Sequence, residues 1–211
     1  MGRRFLQSVA GQALVNTPLF RLPETYGLQG DHRVVDVACG TGSLLRILDS
    51  RVAFKLRPLG LDASADALRR AAPGPERAPG LARATVAGLP LPDESVDLML
   101  CGYLAKRLTD AELLAFLRDA YRTLRPAGAV LVWDYAPVPD RRLDRWNRQV
   151  IGRGGGDLHL RSYQRLEDLG IHAGFDWLRN AYLRPFLFPP IPRVSILMGK
   201  AAPFRDPDAT P

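Results

Sequence analysis

Short apolar runs alternate along the first 135 residues with longer stretches in which apolar side chains recur every three or four positions. The short runs are typical of strands buried on both faces, and the longer stretches predict amphipathic helices. Because strand and helix alternate, we expect one mostly parallel sheet covered by helices on both faces. The predicted strands are 33–38, 58–62, 81–86, 96–101 and 129–135, and the predicted helices are 43–49, 64–72 and 109–124.

Beyond residue 135 the alternation stops, and prolines and glycines interrupt the chain more often. Pro137 and Pro139 precede a basic helix predicted over 141–151, and a glycine run at 154–156 follows it. The remaining predicted elements are a helix over 162–169 and strands over 175–182 and 194–199. Together with the five earlier strands, these give a seven-stranded sheet.

The N-terminal residues are interpreted as an arm outside the sheet. An amphipathic helix is predicted over 3–15, followed by a proline-punctuated segment. This arm either covers the mouth of a ligand site, with Phe20 or Tyr26 as lid residues, or packs against the sheet. The predicted organisation is an N-terminal helical arm or lid over 1–30, one domain over 31–202 and a frayed tail over 203–211.

Length and composition favour one soluble domain, since the chain has 211 residues and 46% of them are hydrophobic. No run approaches the roughly 18 consecutive apolar residues of a membrane span. The N-terminus has no uninterrupted apolar stretch of the signal-peptide kind, so a cytoplasmic protein is expected. The two cysteines, Cys39 and Cys101, fit neither a disulfide framework nor a zinc site, and we expect free thiols and no metal.

The formal charge of +7 comes almost wholly from arginine and favours an anionic partner: a small acid, a phosphate, a membrane surface or nucleic acid. The most basic stretch is 141–165, whose first helix carries arginines on one face and apolar residues on another. This pattern suggests an anionic or membrane-associated acceptor, with peripheral membrane contact, and a solvated helix face is the alternative. The two sets of side chains are Arg141, Arg145 and Arg148, and Leu143, Trp146 and Val150.

The stretch 34–42 is typical of a strand, a tight turn and a helix N-terminus. Its apolar run ends in Gly40 and Gly42, where backbone N–H groups can meet a nucleotide-like ligand. A pyrophosphate cofactor requires a small residue three positions after the second glycine, and this chain has Leu45 there. Asp62, at the tip of the next predicted strand, suits a ribose, because two carboxylate oxygens can accept from a vicinal diol. The pattern predicts a cofactor with a ribose and without pyrophosphate.

At these residues the chain resembles the class I S-adenosylmethionine-dependent methyltransferases, near the type 11 group that includes the ubiquinone and menaquinone biosynthesis C-methyltransferases. The resemblance spans about 31–200, and its motifs, in the family's order, are 34–42, 59–62, 88–97 and 119–128. It implies a single Rossmann-like α/β domain with a seven-stranded, mostly parallel sheet, an antiparallel C-terminal strand and helices on both faces. It also implies S-adenosylmethionine as cofactor and S-adenosylhomocysteine as product.

By this resemblance, Gly40 and Gly42 let the methionine part of the cofactor lie against the backbone, and Asp62 accepts from both ribose hydroxyls. Adenine recognition is expected from the backbone at 86–87, because Thr85 stands where many relatives carry an aspartate. The residues expected to bind the cofactor are Asp36, Ala38, Cys39, Gly40, Gly42, Asp62, Ala63, Val86, Ala87 and Cys101.

Methyl transfer from a sulfonium mainly needs the acceptor atom held in line with the methyl group, so a dedicated catalytic residue is optional. Lys106 and Arg107 stand where relatives often have histidines after the fourth strand, which removes one common source of a base. An acceptor that must lose a proton still needs a positioned base. The candidates in the acceptor region are Tyr103, Tyr135, His159, Asp134 and Tyr163.

The predicted function is methyl transfer to an oxygen, nitrogen or carbon atom of a small-molecule acceptor that is anionic or hydrophobic. The basic charge permits a second reading, an RNA or DNA methyltransferase. Against this reading, the fourth strand ends in 100–103 without the Asn/Asp-Pro-Pro-aromatic sequence of amino-methylating DNA enzymes. A third possibility is a non-methylating relative that binds the same cofactor. A nicotinamide dehydrogenase is the fourth, and it would have to tolerate Leu45.

Overall fold

The computed structural model describes residues 21–71, 80–152, 156–181 and 192–202. Phe20, the predicted helix over 3–15 and the predicted tail over 203–211 lie outside the described residues. In the described part, seven strands form one sheet. They are β1 (Val34–Val37), β2 (Leu59–Asp62), β3 (Gly80–Arg83), β4 (Val96–Gly102), β5 (Leu124–Tyr135), β6 (Trp177–Asn180) and β7 (Arg193–Gly199). The helices are α1 (Leu22–Thr25), α2 (Ser43–Arg51), α3 (Ala65–Ala71), α4 (Asp110–Thr123), α5 (Arg141–Ile151) and α6 (Tyr163–Ala173), with a 3₁₀ turn at Ala105–Arg107.

The strand order is β3-β2-β1-β4-β5-β7-β6. Strands β1 to β5 pair in parallel, and Val35 of β1 lies opposite Leu59 on one side and Met99 on the other. Strand β7 runs antiparallel between β5 and β6. This arrangement confirms the predicted fold class. The strand order reverses between β1 and β4, and in such sheets ligands bind outside the carboxyl ends of the strands at this point.

Local signals account for the helix boundaries. Helix α4 begins after Thr109, whose hydroxyl accepts from the N–H of Glu112, while the Glu112 carboxylate accepts from the N–H of Thr109 at 2.8 Å. This is the predicted capping box. Helix α6 continues to Ala173, beyond its predicted end, because its left-handed terminator is Gly174, with φ of 98°. Across the described ranges, no helix combines the length and the apolar character that spanning a bilayer requires.

Strand β5 begins earlier than predicted. The sequence places a turn between the helix and a strand at 129–135, whereas the strand already starts at Leu124, directly after α4. Leu124 pairs with Val96 of β4, and the register shifts immediately after this pair. Ala127 has a positive φ of 66°. The residues predicted to form a turn therefore belong to the strand and form an irregularity in its pairing, comparable to a β-bulge.

The sheet separates two apolar cores. In β5, Val130 and Val132 face α4 and α6, whereas Leu131 and Trp133 face α2. All four side chains are buried. A strand that is apolar on both faces appears in the sequence as a continuous apolar run, which explains why β4 and most of β5 are readable without a structure.

The residues before β1 lie against the core that contains α2. Leu22 is fully buried there, and Tyr26 packs against the same cluster. Tyr26 also borders a cavity with Asp97, Pro126 and Trp177, at the amino ends of β4, β5 and β6. This edge is opposite the one where β1 leads into α2. Of the two alternatives for the arm, Tyr26 therefore takes the packing role rather than the lid role.

Candidate cofactor and acceptor site

The glycine loop, residues 38–42, turns β1 into α2 at the carboxyl edge of the sheet. Ala38, Gly40 and Gly42 have φ angles of 60°, 55° and 67°, all left-handed. The N–H of Gly42 donates to the Cys39 carbonyl at 2.9 Å. A Cβ added at Gly40 would meet nothing within 4 Å, so open space lies over the loop. Gly42 gives α2 no side-chain cap, and a ligand can accept from the N–H groups of its first turn.

Asp62 ends β2 beside this loop, and two backbone donors hold its carboxylate. Oδ2 accepts from the N–H of Gly40 at 2.8 Å, and Oδ1 accepts from the N–H of Ser64 at 2.8 Å. Each carboxylate oxygen keeps a further lone pair for an external donor. The structure thus brings the predicted ribose-binding residue to the glycine loop. It also gives Asp62 a loop-positioning contact that the sequence analysis did not predict.

Leu45 fits into α2 because β2 carries a glycine opposite it. Leu45 is fully buried. A Cβ added at Gly60 would lie 2.7 Å from Leu45 Cδ1, 2.8 Å from Cys39 Sγ and 2.9 Å from Leu81 Cδ2. Gly60 therefore makes room under the glycine loop for the side chain that separates α2 from the sheet. In dinucleotide-binding folds a small residue on the helix allows it to pack close to the strand. Here the small residue is Gly60 on β2, and the helix α2 carries Leu45 instead.

Asp36 lies inside β1, between Gly60 of β2 and Leu100 of β4, and only 4% of it is exposed. Burial, and then the charge of Asp62, raise the pKa of the Asp36 carboxyl to about 8. The carboxyl therefore keeps its proton at neutral pH. A cation bound over the glycine loop would favour the ionised form, because opposite charges lower the pKa of a carboxyl group.

The raised pKa of Asp36 makes stability depend on pH in a definite direction. Between the ordinary pKa of 3.8 and the folded value of about 8, the folded protein holds more protons than the unfolded chain. The free energy of unfolding therefore falls as the pH rises, by at most about 1.4 kcal/mol per pH unit from this group. Urea unfolding of Asp36→Asn should show a weaker pH dependence than wild type. Asp66→Asn, on the exposed surface of α3, should keep the wild-type slope, and equal slopes for all three would contradict the assignment.

Both cysteines are free and buried, as predicted. Burial, followed by the charge of Asp36, raises the pKa of the Cys39 thiol to about 12. Burial, followed by the charge of Asp134, also raises the pKa of the Cys101 thiol. Both thiols stay protonated at neutral pH, so neither serves as a nucleophile. Cys101 pairs with Val37 and so lies at the carboxyl edge beside the glycine loop.

Val86 and Ala87 lie in a loop, because β3 ends at Arg83 rather than at 86 as predicted. Val86 packs against the core that contains α4, and Ala87 is exposed. The N–H of Ala84 donates to the Asp62 carbonyl at 3.1 Å, so the loop departs directly from the end of β2. An adenine contact from the backbone at 86–87 stays a prediction.

Tyr103 follows β4 at the same edge of the sheet. Its φ is 58°, and a bulky side chain in the left-handed region is the kind of strain that functional sites retain. Its ring centroid lies 5.0 Å from that of Tyr135 and 6.5 Å from that of Trp133. Burial is the main cause that raises the pKa of the Tyr103 phenol to about 12. The aromatic wall, formed by Tyr103 and Tyr135, thus unites two predicted residues, and Tyr103 stays a neutral phenol.

Lys106 and Asp134 form a buried ion pair behind this wall. Their side chains are 10% and 3% exposed, and Nζ lies 3.6 Å from Oδ1. The Asp134 carboxylate also accepts from the N–H groups of Lys106 at 2.8 Å and Tyr135 at 2.7 Å. The ammonium lies 5.1 Å from the centroid of the Tyr103 ring and 5.3 Å from that of Tyr135. Burial raises the pKa of Asp134 and lowers that of Lys106.

Of the other predicted acceptor residues, His159 lies beside this pair and Tyr163 packs against a core. His159 donates its backbone N–H to the Lys106 carbonyl at 2.8 Å, and Tyr163 packs against the core that contains α6. Arg161 is 5% exposed and donates to the carbonyls of Ala105 at 2.6 Å and Leu108 at 2.6 Å. These contacts fasten the 157–161 segment to the turn that carries Lys106.

Sequence reasoning named Tyr103, Tyr135 and Asp134 as candidates for the acceptor region but did not predict the ion pair of Lys106 or the contacts of Arg161. A signal for the ion pair was present, since Asp134 is a charged residue inside the otherwise apolar run 129–135. A buried carboxylate needs a partner, which this position could have indicated. Arg161 gave no such signal, because it lies among other arginines in a basic segment.

Solved structures of other proteins share this fold. YcgJ from Bacillus subtilis has a TM-score of 0.67 at 16% identity, over 88% of this chain and 99% of that one. The putative methyltransferase crystallised with the Trm112 activator of Haloferax volcanii has a TM-score of 0.70 at 17% identity, over 94% of both chains. At these identities the likeness concerns the fold alone.

Two sequence comparisons bear on the family. Residues 34–128 match a family model described as a methyltransferase domain. Among curated proteins, demethylmenaquinone methyltransferase of Symbiobacterium thermophilum is 33% identical over 171 residues, which cover 78% of this chain and 62% of the relative. These two matches support a class I S-adenosylmethionine-dependent methyltransferase.

This chain spans about three fifths of the length of the curated relative that it matches. The matched residues 34–128 include the glycine loop, Asp62, Tyr103 and Lys106. The family model therefore covers the candidate cofactor site and part of the candidate acceptor site. Asp134 and Tyr135 follow shortly after it, on the strand that pairs with β4.

Proposed function

We propose that this methyltransferase transfers a methyl group from S-adenosylmethionine to a small-molecule acceptor. The observation that carries the proposal is the contact between Asp62 and the glycine loop. The carboxylate is fixed at 2.8 Å from the Gly40 nitrogen, keeps a free lone pair on each oxygen, and lies against the loop that follows β1, the strand that borders the switch point. This donor and acceptor set suits a ribose diol beside a backbone-lined cradle.

The cofactor is proposed to lie along the carboxyl ends of β3, β2 and β1. Asp62 accepts from the ribose hydroxyls, and Asp36 favours a cationic group over the loop once it ionises. When bound, S-adenosylmethionine supplies a methyl group on a positively charged sulfur. The proposed binding residues are Asp36, Ala38, Cys39, Gly40, Gly42, Asp62, Ala63, Val86, Ala87 and Cys101.

The acceptor is proposed to meet the aromatic wall. The two rings offer apolar surface to a flat, hydrophobic molecule, and the Lys106 ammonium, paired with Asp134, lies 5.1 and 5.3 Å from their centroids and helps to hold them in place. The name of the curated relative gives it a demethylmenaquinone acceptor. A small hydrophobic acceptor for this chain agrees with both observations.

Positioning is proposed to supply most of the rate. Tyr103 stays protonated at neutral pH, since the pKa of its phenol is about 12. Asp134 is held by Lys106 and by two backbone N–H groups, so its carboxylate is already engaged. The wall and the loop therefore act by holding acceptor and methyl group in line, which lowers the barrier without a resting base.

The experiment is methyl transfer from radiolabelled S-adenosylmethionine to a panel of hydroxylated aromatic acids and hydroquinones, with total RNA in parallel. Label should appear on a small molecule together with S-adenosylhomocysteine, and RNA should stay unlabelled. Label on RNA with salt-dependent binding would favour a nucleic-acid methyltransferase. If the protein binds the cofactor but forms no S-adenosylhomocysteine with any acceptor of the panel, the result would favour a non-methylating relative.

A further inference from the structure

Helix α5 presents an apolar strip that the domain does not bury. Asn147 is its buried residue, whereas Leu143 and Trp146 are 53% and 46% exposed. These two side chains are three positions apart on a helix and therefore lie next to each other on its surface. Large apolar side chains exposed side by side mark a contact surface.

Arginines border the apolar strip. Arg142 precedes Trp146 by four positions and neighbours it on the helix surface. Arg141 and Arg145 continue the exposed basic face. This face leads into an open depression of about 560 Å³, lined in part by Arg141, Arg145 and Arg148. The exposed side of α5 thus changes from basic to apolar within one helical turn.

The acidic residues of this segment do not offset those arginines. Asp140 caps the helix, since its carboxylate accepts from the N–H groups of Arg142 at 2.9 Å and Leu143 at 2.8 Å. Asp144 is paired with Arg148 at 2.6 Å, and this hydrogen bond lowers the pKa of the Asp144 carboxyl. Asp144 is thus occupied by Arg148, and the exposed Asp140 is held at the N-cap, so the exposed Arg141, Arg142 and Arg145 outnumber the one carboxylate left beside them.

We propose that α5 docks this protein onto the surface of an anionic lipid bilayer. Leu143 and Trp146 enter the headgroup region, and Arg141, Arg142 and Arg145 contact lipid phosphates. Helices that lie in the membrane interface combine an apolar strip with such arginines, and a guanidinium binds phosphate oxygens in pairs. The proposal goes beyond methyl transfer, since it concerns where the enzyme works.

A bilayer explains both halves of the surface, whereas a nucleic acid explains one. Phosphates of RNA or DNA would pair with the arginines, but the exposed Leu143 next to Trp146 would gain nothing from a polyanion in water. A bilayer offers phosphates above and hydrocarbon below. Helix α5 also follows shortly after Tyr135, so docking through it brings the lipid phase near the aromatic wall.

The test is sedimentation of the full chain with vesicles, in the absence of any acceptor. Vesicles of phosphatidylcholine alone are compared with vesicles that also contain phosphatidylglycerol. The protein should bind the anionic vesicles and not the neutral ones, and added salt should weaken the binding. The Trp146→Phe variant should still bind, but it should lose the blue shift of tryptophan emission that accompanies wild-type binding.

Matched variants localise the effect to α5. The triple change of Arg141, Arg142 and Arg145 to Gln should lower vesicle partitioning on the order of 100-fold, because each arginine contributes about five-fold near an anionic surface. The same three residues changed to Lys should keep it within a few-fold. Leu143→Ser with Trp146→Ser should lower it about ten-fold or more.

A control triple removes equal charge elsewhere, at the exposed Arg33, Arg70 and Arg118. It should bind vesicles like wild type. An equal loss in this control, equal binding to neutral vesicles, or tight RNA binding in place of vesicle binding would overturn the proposal. Because no acceptor is present, any of these results leaves the proposed methyl transfer untouched.

Discussion

Asp62→Ala is expected to weaken S-adenosylhomocysteine binding on the order of 100-fold. The variant loses the charged acceptor for two hydroxyl groups, and each hydrogen bond to a charged group contributes about 1.5–3 kcal/mol. It also releases the N–H of Gly40, which Asp62 holds at 2.8 Å. Isothermal titration calorimetry of the purified full chain measures the dissociation constant directly.

Asp66→Ala is the matched control for this result. Asp66 belongs to α3, four positions after Asp62, and pairs with Arg69 on the surface. The variant removes the same charge from the same region and should change the dissociation constant by less than about two-fold. Asp62→Asn should lie near Asp62→Ala, since its amide nitrogen cannot accept a hydrogen bond. An unchanged dissociation constant in Asp62→Ala would show that the ribose binds elsewhere.

Lys106→Met is expected to lower the free energy of unfolding by about 3–5 kcal/mol at neutral pH, because it leaves Asp134 buried without its countercharge. The loss of Lys106 raises the pKa of the Asp134 carboxyl further above its ordinary value. Stability in this variant therefore falls as pH rises through the window between the unfolded and folded pKa values, and part of it returns in acid. Urea unfolding at acidic and neutral pH measures both effects.

Two further variants make this prediction specific. Lys106→Met combined with Asp134→Asn removes the buried charge as well as its partner and should recover much of the lost stability. Lys55→Met removes an exposed lysine and should change the free energy of unfolding by no more than about 0.5 kcal/mol. A loss in Lys106→Met as small as that in Lys55→Met would contradict the buried ion pair.

Helices and strands that depend on local sequence signals could be predicted from the sequence. Buried parallel strands such as β1 and β4 show as short runs with a single charged residue each, and the Thr109–Glu112 capping box marks the start of α4. The start of β5 was not predictable in this way. Its first residues carry Pro126 and Gly128, which locally favour a turn, but pairing of Leu124 with Val96 extends the strand through them.

The position of Asp62 next to the glycine loop could be predicted, because the motif and the fold class together determine it. Asp62 lies 22 residues after Gly40, and the parallel pairing of β1 with β2 brings both to one edge. The ion pair of Lys106 and Asp134 spans 28 residues and depends on the turn that follows β4, which no local pattern specifies. The sequence left the lid and packing roles of Tyr26 open for the same reason, because the edge that a preceding arm reaches depends on its packing.

The central claim is that the glycine loop and Asp62 hold a cofactor with a ribose and without pyrophosphate. The melting temperature of the full chain with S-adenosylmethionine, S-adenosylhomocysteine and NADH tests it most directly, since a ligand that binds only the folded state raises that temperature. We expect the first two ligands to raise it and NADH to leave it unchanged. Equal shifts from all three, or no shift from the first two, would contradict the claim.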